Sequence, residues 1–155
     1  MTFLIVTSRY YQDIAKDLEA GAQAALRKAA ESYRTLVVPG AFELPGAISA
    51  VLEDNDHHNP FSGFIALGCV IRGKTDHYEY VCQQASRGLA DLSHRTALGF
   101  GLLTCDHQQD AKERADPNGR HDVGGTAARA CLAMHRWRTR ARDFARDDGD
   151  LFDAC

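Results

Sequence analysis

The residues best able to do chemistry stand together in GCVIRGKTDHYEYV, positions 68–81. Cys69, Val70 and Ile71 read as the end of a buried strand, and Tyr78 and Val81 as the start of a helix. Between them lie Arg72, Gly73, Lys74, Thr75, Asp76 and His77. Gly73 lets the backbone approach a ligand closely, because it has no Cβ. The N–H groups that open a helix lack intrahelical acceptors and attract phosphate. Thr75 adds a hydroxyl and is expected to cap that helix. Histidine takes and gives protons near neutral pH. Hydrogen bonds to a charged phosphate contribute about 1.5–3 kcal/mol each, so two or three would matter for binding. This predicts a small phosphorylated substrate with proton transfers beside it. A capped helix start carrying a solvated histidine explains the local pattern equally well.

The surrounding elements say where that run must sit. Apolar stretches at Phe3–Thr7, Thr35–Pro39, Phe64–Ile71 and Leu98–Thr104 read as strands. They are continuous rather than alternating, as expected for strands covered on both faces. Ile14, Leu18, Ala22, Leu26 and Ala29 share one face of a helix. Leu44, Ile48, Val51 and Leu52 give a second, with Pro45 tolerated in its first turn. Tyr78, Val81, Ala85, Leu89 and Leu92 give a third. His107–Ala115 reads as a short helix, and Ala127, Cys131 and Met134 begin a longer one. The order β-α-β-α-β-α-β-α-α predicts an α/β fold: a three-layer α/β/α sandwich around a four-stranded parallel sheet. The 155 residues are read as a single domain, with a polar loop at 53–62 and a frayed tail over 146–155.

In open parallel sheets ligands bind outside the carboxyl ends of the strands. Tyr10, Gly40–Glu43, Arg72–His77 and Cys105–His107 follow the four strands in turn. All four exits are expected to converge on one edge.

Composition narrows the classes. The chain is 45% hydrophobic and 25% charged, with a formal charge of −3, so nothing global argues for nucleic acid or an anionic membrane. The apolar run Phe3–Val6 is too short for a signal peptide or a membrane span. Five cysteines without a close pair predict free thiols, hence a cytoplasmic protein. His57 and His58, beside Asp54 and Asp56, read as a solvated loop rather than a metal site. His94, His107, His121 and His135 are expected at the surface, with His107 nearest the strand exits. Arg72 is expected to be a structural ion-pair partner, and Cys69 to pack. Gly124-Gly125 serves an anion site or a plain helix start equally well. The basic stretch 136–142 is followed at once by aspartates and reads as a solvated helix end.

Three stretches go further: VPGAFELPGA (38–47), ALGCVIRGKTDHYEYV (66–81) and FGLLTCDHQQDAKERA (100–115). They resemble the lumazine synthase family, and the likeness runs from strand one to about Met134. The resemblance implies a flavodoxin-like strand order. It also implies a condensation of 5-amino-6-(D-ribitylamino)uracil with 3,4-dihydroxy-2-butanone 4-phosphate, using no metal and no organic cofactor. Schiff-base formation, phosphate elimination and ring closure are proton shuffles around a bound anion, and much of the rate comes from orienting two substrates.

By the same resemblance His77 is the general acid/base, and Gly73, Lys74 and Thr75 cradle phosphate. Arg114 also binds phosphate. Gly40, Ala41, Phe42 and Glu43 hold the ribityl chain, Val70 and Ile71 line the pyrimidine site, and Tyr10 stacks on the heterocycle. The family's sites lie between subunits of a pentamer, with Phe100 and Arg114 coming from the neighbour. The small-molecule substrates and a homo-oligomer are thus the expected partners. Three departures stand out. Val123 and Thr126 replace the family's Lys and Glu in Asp122–Ala128, which lowers the expected affinity. Asp110 replaces a Gln. The chain begins almost at strand one, which favours a pentamer or a decamer of pentamers over a shell. Two other readings remain open: an archaeal-type riboflavin synthase on a related scaffold, and a non-catalytic flavin- or lumazine-binding protein.

Overall fold

The computed structural model describes residues 1–53 and 60–144. His57, His58, most of the expected polar loop and the tail beyond Arg146 lie outside them. Four strands, β1 (Thr2–Ser8), β2 (Ser32–Val38), β3 (Gly63–Ile71) and β4 (Leu98–Cys105), form one parallel sheet in the order β2-β1-β3-β4. Five helices follow: α1 (Gln12–Lys28), α2 (Leu44–Glu53), α3 (His77–Ser93), α4 (Gln108–Ala115) and α5 (Val123–Phe144). The fold is the expected three-layer sandwich with flavodoxin-like strand order.

Strand period two explains the unbroken apolar runs. Phe3, Ile5, Ile65 and Leu67 point to the layer of α1, α4 and α5, packing with Leu18, Ala111 and Cys131. Leu4, Val6, Phe64 and Ala66 point the other way, onto Leu44, Ile48 and Leu89 of α2 and α3. Both faces are buried, so the runs Phe3–Val6 of β1 and Phe64–Leu67 of β3 are apolar throughout.

The bounds of β2 and α5 differ most from expectation, each for a physical reason. β2 begins at Ser32, not Thr35, because an edge strand pairs through its backbone and need not be apolar; Thr2 registers with Ser32 and Ser8 with Val38. Pro39 has no N–H for the ladder and falls outside the strand. α5 begins at Val123, ahead of the first apolar residue that signals it. Asp122 opens it: its Oδ1 accepts the N–H of Gly125 at 2.9 Å.

Gly124 is there because α1 is close. A Cβ on it would lie 2.0 Å from the Leu18 carbonyl oxygen. Alanine would gain up to about 1 kcal/mol of helix propensity but cost about 1–3 kcal/mol in overpacking against rigid backbone. Gly124→Ala is therefore expected to destabilise the fold by about 1–2 kcal/mol in urea melting, where propensity alone predicts stabilisation. Gly124 is thus explained by helix packing, without a ligand.

Candidate active site

The strand order brings three exits together. β1 is flanked by β2 and β3, so the chain leaves β1 towards α1 beside the exits of both neighbours, and the crevice opens at that switch point. A cleft of about 610 Å³ lies there.

Each wall has a local cause. After β1, Arg9 donates from Nε and Nη2 to the two carboxylate oxygens of Glu19 on α1, at 2.9 and 2.8 Å. That fork fixes the turn that presents Tyr10 and Tyr11. The two rings meet edge to face with centroids 5.0 Å apart, and Tyr10 is 73% exposed, so its face is free for a ligand. Burial raises the Tyr11 phenol above its usual range, followed in effect by Tyr10 and Cys69.

After β2, Gly40 leads into a 3₁₀ turn over Ala41–Glu43 that runs straight into α2. A Cβ on Gly40 would lie 2.8 Å from Glu43 Oε2, so the carboxylate folds back over the glycine. Gly40, Ala41, Phe42 and Glu43 all line the cleft. After β3, so do Cys69, Val70, Ile71, Gly73, Thr75 and His77. His77 is the first residue of α3 and is exposed to solvent within the cleft. A Cβ on Gly73 would meet nothing within 4 Å, so packing does not require a glycine there.

The remaining expected residues lie elsewhere. The exit of β4 does not join the cleft, because β4 lies beyond β3. Asp106 and His107 instead line a second cleft with Arg72, Gly73 and Lys74, on the far side of the turn. Phe100 stands exposed on β4. Arg114 stands exposed on α4, its Nη1 donating to the Asp110 carbonyl at 3.3 Å. Lys74, Phe100 and Arg114 do not line the main cleft of their own chain.

Other expectations are corrected. Thr75 does not cap α3. Asp76 occupies the N-cap in a helical conformation and makes no side-chain cap bond, so the chain enters the helix without the extended residue that a hydroxyl cap needs. His135 is half-buried, its Nδ1 2.9 Å from the Ser62 carbonyl and its ring against Phe3. Tyr11, beside Tyr10 at the exit of β1, is a wall too, and α3 adds walls that strand exits alone do not reveal: Tyr78, Tyr80, Val81 and Gln84. Positions 77, 81 and 84 recur on one helical face, so the periodicity that starts at His77 carries that signal.

Electrostatics sort the polar groups. Burial pushes the Cys69 thiol up to about 12, reinforced by Cys105 and Cys82. It stays protonated at neutral pH and is no nucleophile. Arg72 is an ion-pair partner, as expected: its Nε donates to Asp106 at 2.8 Å and its Nη1 to Glu79. Arg72 holds the Glu79 carboxyl below its usual range. The pair is therefore charged at neutral pH and opens only as pH falls through that lowered value. Among the described residues no group of three or more His, Cys, Asp or Glu side chains is placed to hold a metal. No helix of the described residues is long and apolar enough to cross a membrane. In the basic stretch of α5, Arg138 donates to the carbonyls of His94 and Arg95, closing the end of α3.

A sequence profile of 6,7-dimethyl-8-ribityllumazine synthase matches residues 1–139. The chain is 48% identical over 142 residues to the 6,7-dimethyl-8-ribityllumazine synthase of Methylocella silvestris, covering 90% of this chain and 86% of that protein. It is 47% identical over 136 residues to that of Paramagnetospirillum magneticum, covering 84% and 90%. With that of Erythrobacter litoralis it shares 43% over 139 residues, covering 89% and 96%. A match of this length, across all the strand exits that build the cleft, places the chain in the 6,7-dimethyl-8-ribityllumazine synthase family.

Proposed function

We propose that the protein condenses 5-amino-6-(D-ribitylamino)uracil with 3,4-dihydroxy-2-butanone 4-phosphate to form 6,7-dimethyl-8-ribityllumazine. The observation that carries this is one cleft that gathers a stacking face, a turn rich in free N–H groups and an imidazole. The uracil ring lies against Tyr10, Val70 and Ile71, with its ribityl chain along Ala41–Glu43. The phosphate sits on the Gly73–Thr75 turn, where the missing Cβ of Gly73 leaves room for it. Its neighbours are the opening N–H groups of α3, which no side chain caps.

The amine adds to the ketone and loses water to give an imine. A proton leaves carbon as the C–O bond to phosphate breaks, and phosphate departs. The enol left behind takes up a proton at its terminal carbon and becomes a methyl ketone; the second nitrogen adds to that new carbonyl, and loss of a second water closes the ring. His77, open to the cleft, moves these protons. Orientation of both substrates supplies much of the remaining acceleration. A second copy of the chain completes the site with Phe100 and Arg114, because in one chain neither lines the cleft. A pentamer or a decamer of pentamers supplies such neighbours. Free thiols at Cys69, Cys82, Cys105 and Cys131 fit a reducing cytoplasm.

The test is incubation with both substrates. Lumazine absorbance rising with release of one phosphate per product is expected. Riboflavin formed from supplied lumazine, with no condensation, would instead mark a riboflavin synthase. Tight lumazine binding without turnover would mark a binding protein.

A further inference from the structure

We propose that Arg72 is a positioning residue for this reaction, clamping the turn that carries the phosphate-binding N–H groups and His77. The inference rests on the reading above. The turn needs a clamp. Among the described residues no hydrogen bond reaches the backbone of Gly73, Lys74 or Thr75. All three are exposed, and no side chain crowds Gly73. The turn is tethered only at its ends, by Arg72 on entry and by the Asp76 carbonyl, which accepts the Glu79 N–H at 3.1 Å, on exit.

Arg72 ties that entry to the end of β4 and to the first turn of α3. Its own N–H donates to the Cys105 carbonyl at the end of β4, at 2.9 Å. Its Nε reaches Asp106, just past β4, at 2.8 Å. Its Nη1 reaches Glu79 in the first turn of α3. Its guanidinium lies 4.3 Å from the centre of the Tyr78 ring, and Tyr78 lines the cleft. Two carboxylates on different elements and one aromatic face thus share a single planar cation. Lysine cannot reproduce this, because its point charge has no fork and no plane to stack. Arg72 also forms a wall of the second cleft, so the turn divides the two clefts with the clamp behind it. Held this way, the turn keeps its N–H groups aimed while both substrates bind; released, it must be ordered at the transition state.

Arg72→Lys and Asp106→Asn, each compared with the wild type, test this. Arg72→Lys keeps the charge; it is expected to lower kcat about tenfold and raise KM for the butanone phosphate about fivefold, with KM for the uracil within about twofold. Asp106→Asn removes one arm and is expected to act in the same direction by about threefold. Hydrogen exchange at Arg72, Glu79 and Tyr80, whose N–H groups are bonded at the two ends of the turn, is expected to quicken in both, while α1 and α5 exchange as before. Unchanged kinetics and exchange in Arg72→Lys, or equal losses for both substrates, would overturn the clamp. A wild type that makes no lumazine would instead overturn the proposed reaction, and the exchange data would still decide whether Arg72 holds the turn.

Discussion

His77→Ala is expected to lower kcat by about 10²-fold while both KM values stay within about threefold, with lumazine formation as the readout. The magnitude follows from the place of the imidazole. General acid–base catalysis by a positioned side chain contributes about 10²–10⁴-fold. His77 stands at the low end, because the cleft is open and the ring is solvent-exposed, so water carries part of the proton traffic when the ring is gone. Binding should be spared, because in the proposed reading the phosphate rests on backbone N–H groups of the turn and the heterocycle on Tyr10, none of which the substitution touches. A second test separates acid–base work from simple occupancy. His77→Gln keeps a hydrogen-bonding side chain of similar reach but cannot exchange a proton at neutral pH, and it should be as slow as alanine. A rate near wild type in either variant would move the proton transfers to another group; in the same cleft Tyr80 and Glu43 would be next to test.

Much of this site was legible because it follows from local rules. The strand runs around Phe3–Val6 and Phe64–Leu67 are apolar at every position, which only strands buried on both faces require. Once they are parallel, their exits must share an edge, and Tyr10, Gly40 and Gly73 fall into one cleft. What the sequence hid is global. Whether the fourth exit joins the first three depends on strand order, which no residue near Asp106 encodes; β4 lies outside β3, so Asp106 and His107 open on a second cleft. The start of α5 lay ahead of its apolar signal because Gly124 and Gly125 carry no side chain to show a period, and only contact with Leu18 of α1 explains why 124 is glycine. Thr75 looked like a cap, but the chain enters α3 with helical backbone at Asp76. His135 looked solvated because its partners, Ser62 and Phe3, are far away in sequence.

The location of Arg114 leads to the sharpest test of the shared site. Arg114→Ala is expected to raise KM for the butanone phosphate by about 30-fold, the loss of a charge-assisted bond worth about 2 kcal/mol, and to leave KM for the uracil within about twofold. Equal effects on both would sever Arg114 from the phosphate. The guanidinium sits exposed on α4 outside its own chain's cleft, so it serves a site only by reaching into a neighbour. In a ring, such contacts are head-to-tail, and each site takes His77 from one subunit and Arg114 from the next. Co-expressing His77→Ala chains with Arg114→Ala chains in equal amounts then builds about a quarter of the sites with both residues intact, because each half is wild type in half of the chains. At subsaturating butanone phosphate, where both parents are slow, the mixture should recover about a quarter of the wild-type rate. If each chain carried its whole site, every site in the mixture would lack one residue or the other, and the rate would be no more than the parents' average. That outcome would confine the reaction to single chains and overturn the shared site.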